Sequence, residues 1–389
     1  MRNSRSTLTN HAYFYSFLIV GIVGLLSPFS YNLLPSNAIF EIVLVVCAAL
    51  VFRIPKRSVF LFAAASGLYL LLSFALMRLF QPAHPLDFAQ AYKAFFYVIP
   101  LCVFYKRNVF DRASAAKLLK LLIILFLLKY GYSVALNLTP RMGDRPGLFL
   151  ENNFELIFLM IVFYVLRDDL GRQMISWFLA LVAIIALSGS RSSMLALIVL
   201  FYGLFLTRLT LKSFFYMAGL ALLGGATAGI FVLRSDGGGI QSIDRYNFAM
   251  VFLSEVSNWP AWKFAVGSMP LTPLSPQSCA HLSYYVDLFS FSGNGSCYSV
   301  ILHSYILRVI FDHGALGLIF LISFIALSLT RSGYSRMESF IVLMIICSSS
   351  LSVSAMNSVF VSLALALALG IRKHGQADTP ANLRRPDFS

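Results

Sequence analysis

Residues 174–206 read MISWFLALVAIIALSGSRSSMLALIVLFYGLFL. Two apolar runs, Met174–Leu187 and Met194–Leu206, flank a short turn of small polar residues whose only charge is Arg191. A hydrocarbon core about 30 Å thick needs roughly 20 helical residues, and unpaired backbone groups are too costly in lipid for an open alternative. The stretch therefore predicts a helical hairpin that enters a bilayer and returns.

The same pattern extends in both directions. Spans are expected near Tyr13–Phe29, Asn37–Phe52, Val59–Leu79, Gln90–Tyr105, Leu118–Asn137, Phe154–Leu166, Met174–Ser188, Ser193–Thr207, Phe214–Leu233, Gly314–Leu329, Ser339–Leu351 and Ala355–Ile371. The composition agrees: 12% of the 389 residues are charged, about half of what a soluble domain carries. The expected fold class is an all-α integral membrane protein of about twelve helices, with residues 1–371 as the membrane domain and 372–389 as a disordered tail. Arg2 and Arg5 precede the first apolar stretch, but no small-residue cleavage site ends it, so it is expected to stay as a span.

A net charge of +14 invites a nucleic-acid reading. The basic residues, however, sit in short clusters between apolar runs rather than on one face, and no nucleic-acid partner is expected. With the N-terminus in the cytoplasm, two-thirds of the 30 Lys and Arg fall on the inner side, as the positive-inside rule asks. Both termini are then cytoplasmic, and residues 234–298 form one large outer loop between spans 9 and 10.

That loop opens with Ser235-Asp236-Gly237-Gly238-Gly239, a hinge by composition. Residues 240–257 then carry apolar residues at a helical spacing, including Ile243, Phe248, Phe252 and Val256. The stretch holding Pro260, Pro270, Pro273 and Pro276 is expected to avoid regular helix. Abundant aromatics, Trp259, Trp262, Tyr284 and Tyr285 among them, fit a loop near headgroups. Cys279 and Cys297 lie in this loop, where an oxidising compartment permits a bridge worth about 3 kcal/mol; two free thiols are the alternative. Cys47, Cys102 and Cys347 lie inside spans as small apolar groups.

Polar chemistry concentrates on the outer side. Arg191, held by two helices at the hairpin tip, and Arg245 and Arg145 carry the planar fork that suits phosphate; the plainer reading is an arginine reaching for headgroups. His303 has the imidazole that accepts a proton near neutral pH, or else serves as a structural interfacial histidine. Arg308 and Asp312 stand four apart and should pair. His313 and His281 are weaker candidates, and no spacing puts two histidines on one helical turn, so no metal is expected. No Walker loop, dinucleotide fingerprint or hydrolase elbow occurs, and no cofactor is expected.

The order of these features resembles the O-antigen ligase/polymerase superfamily, the Wzy-type polymerases and WaaL-type ligases. It runs from Arg145-Pro146-Gly147-Leu148-Phe149-Leu150-Glu151-Asn152-Asn153, through Leu187-Ser188-Gly189-Ser190-Arg191-Ser192-Ser193 and a loop with an early arginine, to His303-Ser304-Tyr305-Ile306-Leu307-Arg308 and Asp312-His313-Gly314-Ala315-Leu316-Gly317. The likeness spans about residues 140–330; the first five spans match in hydropathy alone. It implies a GT-C-like glycosyltransferase in the bacterial inner membrane, working at the periplasmic face on undecaprenyl-diphosphate-linked oligosaccharide without metal or nucleotide. By motif the functional groups fall on Arg191, Arg245 and His303, with Arg234 a competitor for Arg245. Arg145, Glu151, Asn152 and Arg308 are expected along the substrate path. The implied partners are the lipid-linked glycan, the bilayer, and a flippase and chain-length regulator of the same pathway.

Two rival functions stand beside polymerisation. A ligase or O-oligosaccharyltransferase would use the same donor and pass glycan to lipid A-core or protein. A transporter or flippase would suit twelve spans, but internal repeats and midplane charges, its usual marks, are scarce; Glu41 and Lys129 are the nearest.

Overall fold

Helices form where the sequence runs apolar, because there each segment satisfies its own backbone groups. The computed structural model describes residues 4–29, 31–81, 83–136, 138, 145–149, 152–207, 215–219, 221–222, 224–225, 229 and 244–371. Its main helices are α1 (Ser4–Leu26), α2 (Ser36–Leu50), α3 (Arg57–Phe80), α4 (Pro85–Ala91), α5 (Lys93–Phe104), α6 (Arg112–Ala135), α7 (Asn152–Leu166), α8 (Met174–Ser188) and α9 (Arg191–Phe205). After the next described stretch come α10 (Asp244–Val256), α11 (Ala261–Val266), α12 (Pro276–His281), α13 (Tyr305–Arg331), α14 (Arg336–Ser350) and α15 (Val359–Gly370). No strand occurs among the described residues, only a lone bridge between Phe110 and Ile371.

Among the described residues the protein is all-α, and five helical runs there are long and apolar enough to cross a membrane: Ser4–Leu26, Arg57–Phe80, Arg112–Ala135, Asn153–Ser188 and Tyr305–Arg331. The bent pair α4–α5 makes a sixth if it is one span. Helices α2, α9 and α15 are apolar but shorter, at 15, 15 and 12 residues. The expected span Phe214–Leu233 is described at half of its positions, all of them helical, and the tail 372–389 lies outside the described residues.

The run Asn153–Ser188 doubles back, in keeping with the two spans expected there: Gly171 (φ 53°, ψ −134°) breaks it, and the Phe163 and Phe178 rings lie 6.1 Å apart. Two elements differ from the sequence expectation in ways that matter. The span expected over Gln90–Tyr105 is bent by 63° between α4 and α5, where Tyr92 leaves helical geometry. The span expected to start at Gly314 begins instead at Tyr305, and Gly314 (φ 67°, ψ −178°) is a break within α13. A Cβ on Gly314 would lie 2.2 Å from the Ala265 carbonyl oxygen, and one on Gly267 would lie 2.7 Å from the Gly314 nitrogen. Two glycines thus let α11 cross α13 backbone against backbone.

The core is centred on α7 and α15, which pack along each other and are buried on every side over most of their length, as helices apolar all round must be. Stacked rings tie them to α1 and α2: Phe17 lies 4.5 Å from Phe40 and 4.6 Å from Phe158, and Phe149 lies 5.7 Å from Phe360. The face of α3 that exposes Leu61, Leu68, Leu71 and Leu79 has the character of a lipid-facing surface.

The bundle has two unlike ends. At one, cations are tied to carbonyls and carboxylates: Arg107 donates to Arg53 O and Ile54 O, and Arg331 to Ser58 O. Arg112 pairs there with Asp169 at 2.5 Å, and Arg167 with Glu338 at 2.5 Å. The opposite end gathers the turn between α8 and α9, residues 145–149, His303 and the loop carrying α10–α12.

Candidate functional site

The hairpin turn is built as its sequence reads. Gly189 is left-handed (φ 57°) and ends α8, and Ser190 caps α9 by accepting from Ser193 N at 3.2 Å. Arg191 follows at the first helical position, half-buried. A cation there opposes the helix dipole, which favours negative charge near an N-terminus. Its placement is therefore not explained by stabilising α9.

Asn153, at the start of α7, knits this turn to the preceding segment. Its Oδ1 accepts from Ser190 Oγ at 2.6 Å, from Ser192 Oγ at 3.3 Å and from Arg145 Nη1 at 3.3 Å. Two of the stretches that carried the family likeness therefore meet in space. Glu151 lies outside the described residues, as does the side chain of Asn152, whose backbone begins α7.

Glu155 holds this arrangement in place. Fully buried one turn into α7, its carboxylate accepts from Leu148 N at 2.9 Å, Phe149 N at 2.7 Å and Tyr130 Oη at 2.5 Å. Asn32 Nδ2 donates to Leu148 O at 3.0 Å from the other side. The backbone just after Arg145 is thus fastened by both its donors and an acceptor. Sequence reasoning passed over Glu155 and gave Asn153 only as the last residue of the 145–153 stretch. The signal for Glu155 was present, since it is an acid inside the apolar run Phe154–Leu166, and such residues mark function or tight pairing.

The two charges weighed against a transporter serve local roles. Lys129 is fully buried and donates to Ser27 O at 2.9 Å, Phe29 O at 2.6 Å and Tyr132 Oη at 2.7 Å, closing the turn after α1. Glu41 accepts from Lys93 at 2.6 Å and Tyr97 Oη at 3.0 Å on a half-exposed surface.

The loop is a folded unit with its own core. Phe248, Val251, Phe252 and Val256 of α10 pack with Leu274, Leu282, Ile301, Leu302 and Phe311. Cys279 and Cys297 are joined in a disulfide within that core. The proline stretch corrects the sequence expectation: Pro260 caps α11 and Pro276 opens α12, positions where its missing N–H costs nothing. Asp87 of α4 accepts from Ser290 Oγ at 2.6 Å and Phe291 N at 3.2 Å, which docks the loop on the bundle. Burial and the Asp87 charge raise the Tyr298 hydroxyl above its usual pKa.

His303 sits between this loop and α13, half-buried, its ring 5.4 Å from Phe248 and 5.3 Å from Tyr285 in edge-on contacts. Arg245 lies in the first turn of α10, one turn before Phe248; its side chain, like Arg234, is outside the described residues. Arg308 is 3% exposed and donates to Gln90 O at 2.6 Å and Ser354 Oγ at 3.4 Å. Its Nε is 3.8 Å from Asp312 Oδ2, the expected pair, and Asp312 also accepts from Ser299 Oγ at 2.5 Å. Arg308 therefore ties three segments behind His303. His313 is buried, its Nδ1 2.8 Å from Tyr69 Oη.

The chain matches no known family profile and no curated protein.

Proposed function

We propose that this chain is a polysaccharide polymerase joining undecaprenyl-diphosphate-linked oligosaccharide repeat units at the periplasmic face of a bacterial inner membrane. Around twelve spans in a GT-C-like arrangement, cytoplasmic termini and an outer loop complete the reading. The observation that carries it is the meeting of Arg145 and Asn153 with the Ser190–Arg191–Ser192 turn. That meeting lies at the end of the bundle that holds His303, away from the basic connections.

The chemistry follows from those groups. A lipid-diphosphate sugar is already activated, so neither nucleotide nor metal has to be invoked. An acceptor hydroxyl attacks the anomeric carbon of the donor. The bond from that carbon to the diphosphate oxygen breaks, and the polyprenyl diphosphate leaves with the electron pair. Arg191 and Arg245 meet the charge that grows on the leaving group, the kind of fixed stabilisation that dominates many enzymatic accelerations. His303 takes the proton from the acceptor hydroxyl. Arg145 and Glu151 line the glycan path, and Arg308 acts behind His303 as a positioning residue.

The test is the lipid-linked glycan profile of a deletion strain carrying wild type or Arg191→Ala. Single repeat units in place of a ladder, with the ladder restored by wild type alone, establish a polymerase that needs Arg191. Long lipid-linked chains that never reach a final acceptor identify a ligase, and an unchanged profile moves the reading to transport.

A further inference from the structure

Two adjoining cavities open on the loop, of about 290 Å³ and 390 Å³. Both are lined by His281 and by successive turns of α10, and we refer to the pair as a groove along that helix. Each approaches or falls within the roughly 300–1,000 Å³ of small-ligand sites. The lining of the smaller one includes Tyr284, which is 89% exposed, beside Tyr285. The larger holds Glu255 and Gln277.

Glu255 is fixed before any ligand arrives. Its Oε1 accepts from Ser275 Oγ at 2.6 Å, Ser278 Oγ at 2.5 Å and Ser275 N at 3.0 Å. Oε2 takes no such bond among the described residues. The groove thus offers a pinned acceptor, an amide and exposed aromatic rings, with no Lys or Arg among the described residues that line it. Among these described residues a phosphate would meet the Glu255 carboxylate and no cation. A neutral polyhydroxylated ligand fits instead, its hydroxyls on Glu255 and Gln277 and its C–H face on a tyrosine ring whose other edge is wet.

We infer that this groove is an oligosaccharide subsite, distinct from the turn that carries Arg191. Phe248 and Tyr285 wall its smaller cavity and are the same two rings that edge His303. A glycan lying in the groove runs toward His303, which makes this the acceptor side of the proposed reaction and rests the assignment on that reading.

The test uses the full chain in nanodiscs and two probes. One is the phosphate-free oligosaccharide released by mild acid from the lipid-linked pool of the native cells; the other is inorganic pyrophosphate. Calorimetry should show oligosaccharide binding that weakens about tenfold in Tyr284→Ala, the loss of one stacking contact, and persists in Tyr284→Phe. Glu255→Gln should weaken it as well, and pyrophosphate should not compete. No oligosaccharide binding by wild type, full affinity in both Tyr284→Ala and Glu255→Gln, or competition by pyrophosphate overturns the subsite. So does weakened bilayer association of Tyr284→Ala at unchanged oligosaccharide affinity, which would make the ring a headgroup anchor. Tyrosine-dependent binding by a protein that transfers no glycan would keep the subsite and sink the polymerase, whereas a normal ladder in Tyr284→Ala with unchanged binding would do the reverse.

Discussion

Replacing Glu155 should release the backbone that carries Arg145 while leaving the helices intact. In Glu155→Gln the side chain keeps its length, but one oxygen becomes an amide that is itself a donor. The donors now shared between two carboxylate oxygens, Leu148 N, Phe149 N and Tyr130 Oη, then compete for one acceptor. Where the amide nitrogen takes the Oε2 position it faces Leu148 N and Phe149 N donor to donor, and a buried N–H that loses its partner costs about 1–3 kcal/mol. Spent locally, that energy raises the opening equilibrium of residues 148–149 about 5- to 150-fold. Amide hydrogen exchange in nanodiscs reads it directly: peptides covering 145–149 should speed up by that factor, while peptides from α15 should not change. Tyr130→Phe removes one donor and leaves both amides satisfied, so it should give little acceleration. Unchanged exchange at 148–149 in Glu155→Gln would refute the idea that this carboxylate holds the segment. In the polymerase reading the ladder should also shorten, because Arg145 no longer meets Asn153.

Arg308→Ala should lower stability by about 3–5 kcal/mol, because Asp312 is left buried beside no cation; thermal unfolding in detergent measures it, and Arg308→Ala with Asp312→Asn should recover part of the loss. Cys279→Ser opens the Cys279–Cys297 link and should cost the loop about 3 kcal/mol; proteolysis should then cut between 244 and 301 before it touches the bundle, and equal resistance would argue that the loop core suffices. Gly314→Ala forces a Cβ toward the Ala265 carbonyl at a left-handed φ, so α11 should lose its seat, with faster exchange across 261–268; a wild-type pattern would contradict the close crossing.

Local chemistry was legible in the sequence and distant contact was not. The turn at 188–193 and the helix over 244–256 follow from residue type and spacing within one segment, and both are present as read. The Arg308–Asp312 pair is likewise a one-turn relationship. The clamp on Glu155 joins residues whose meeting depends on how α6, α7 and residues 145–149 pack. No periodicity reports that. The prolines misled because a rule about helix interiors was applied to helix starts, where Pro260 and Pro276 stand. A boundary was read at Gly314 and the backbone does break there; the helical stretch that precedes it from Tyr305, and the approach of Gly267 to the break, were not legible. Arg245 and Glu151, both expected at the site, have side chains outside the described residues.

The tied cations at the far end of the bundle have a bearing on orientation. Beside an anionic leaflet each basic side chain gains about 1 kcal/mol of attraction. Arg107, Arg112, Arg167 and Arg331 are anchored to that end by the protein's own carbonyls and carboxylates, so they cannot slide toward the middle to ease a reversal. Turning the folded molecule over would carry all of them through hydrocarbon at once. In a bilayer these ties would therefore make whichever orientation the chain was inserted with slow to reverse.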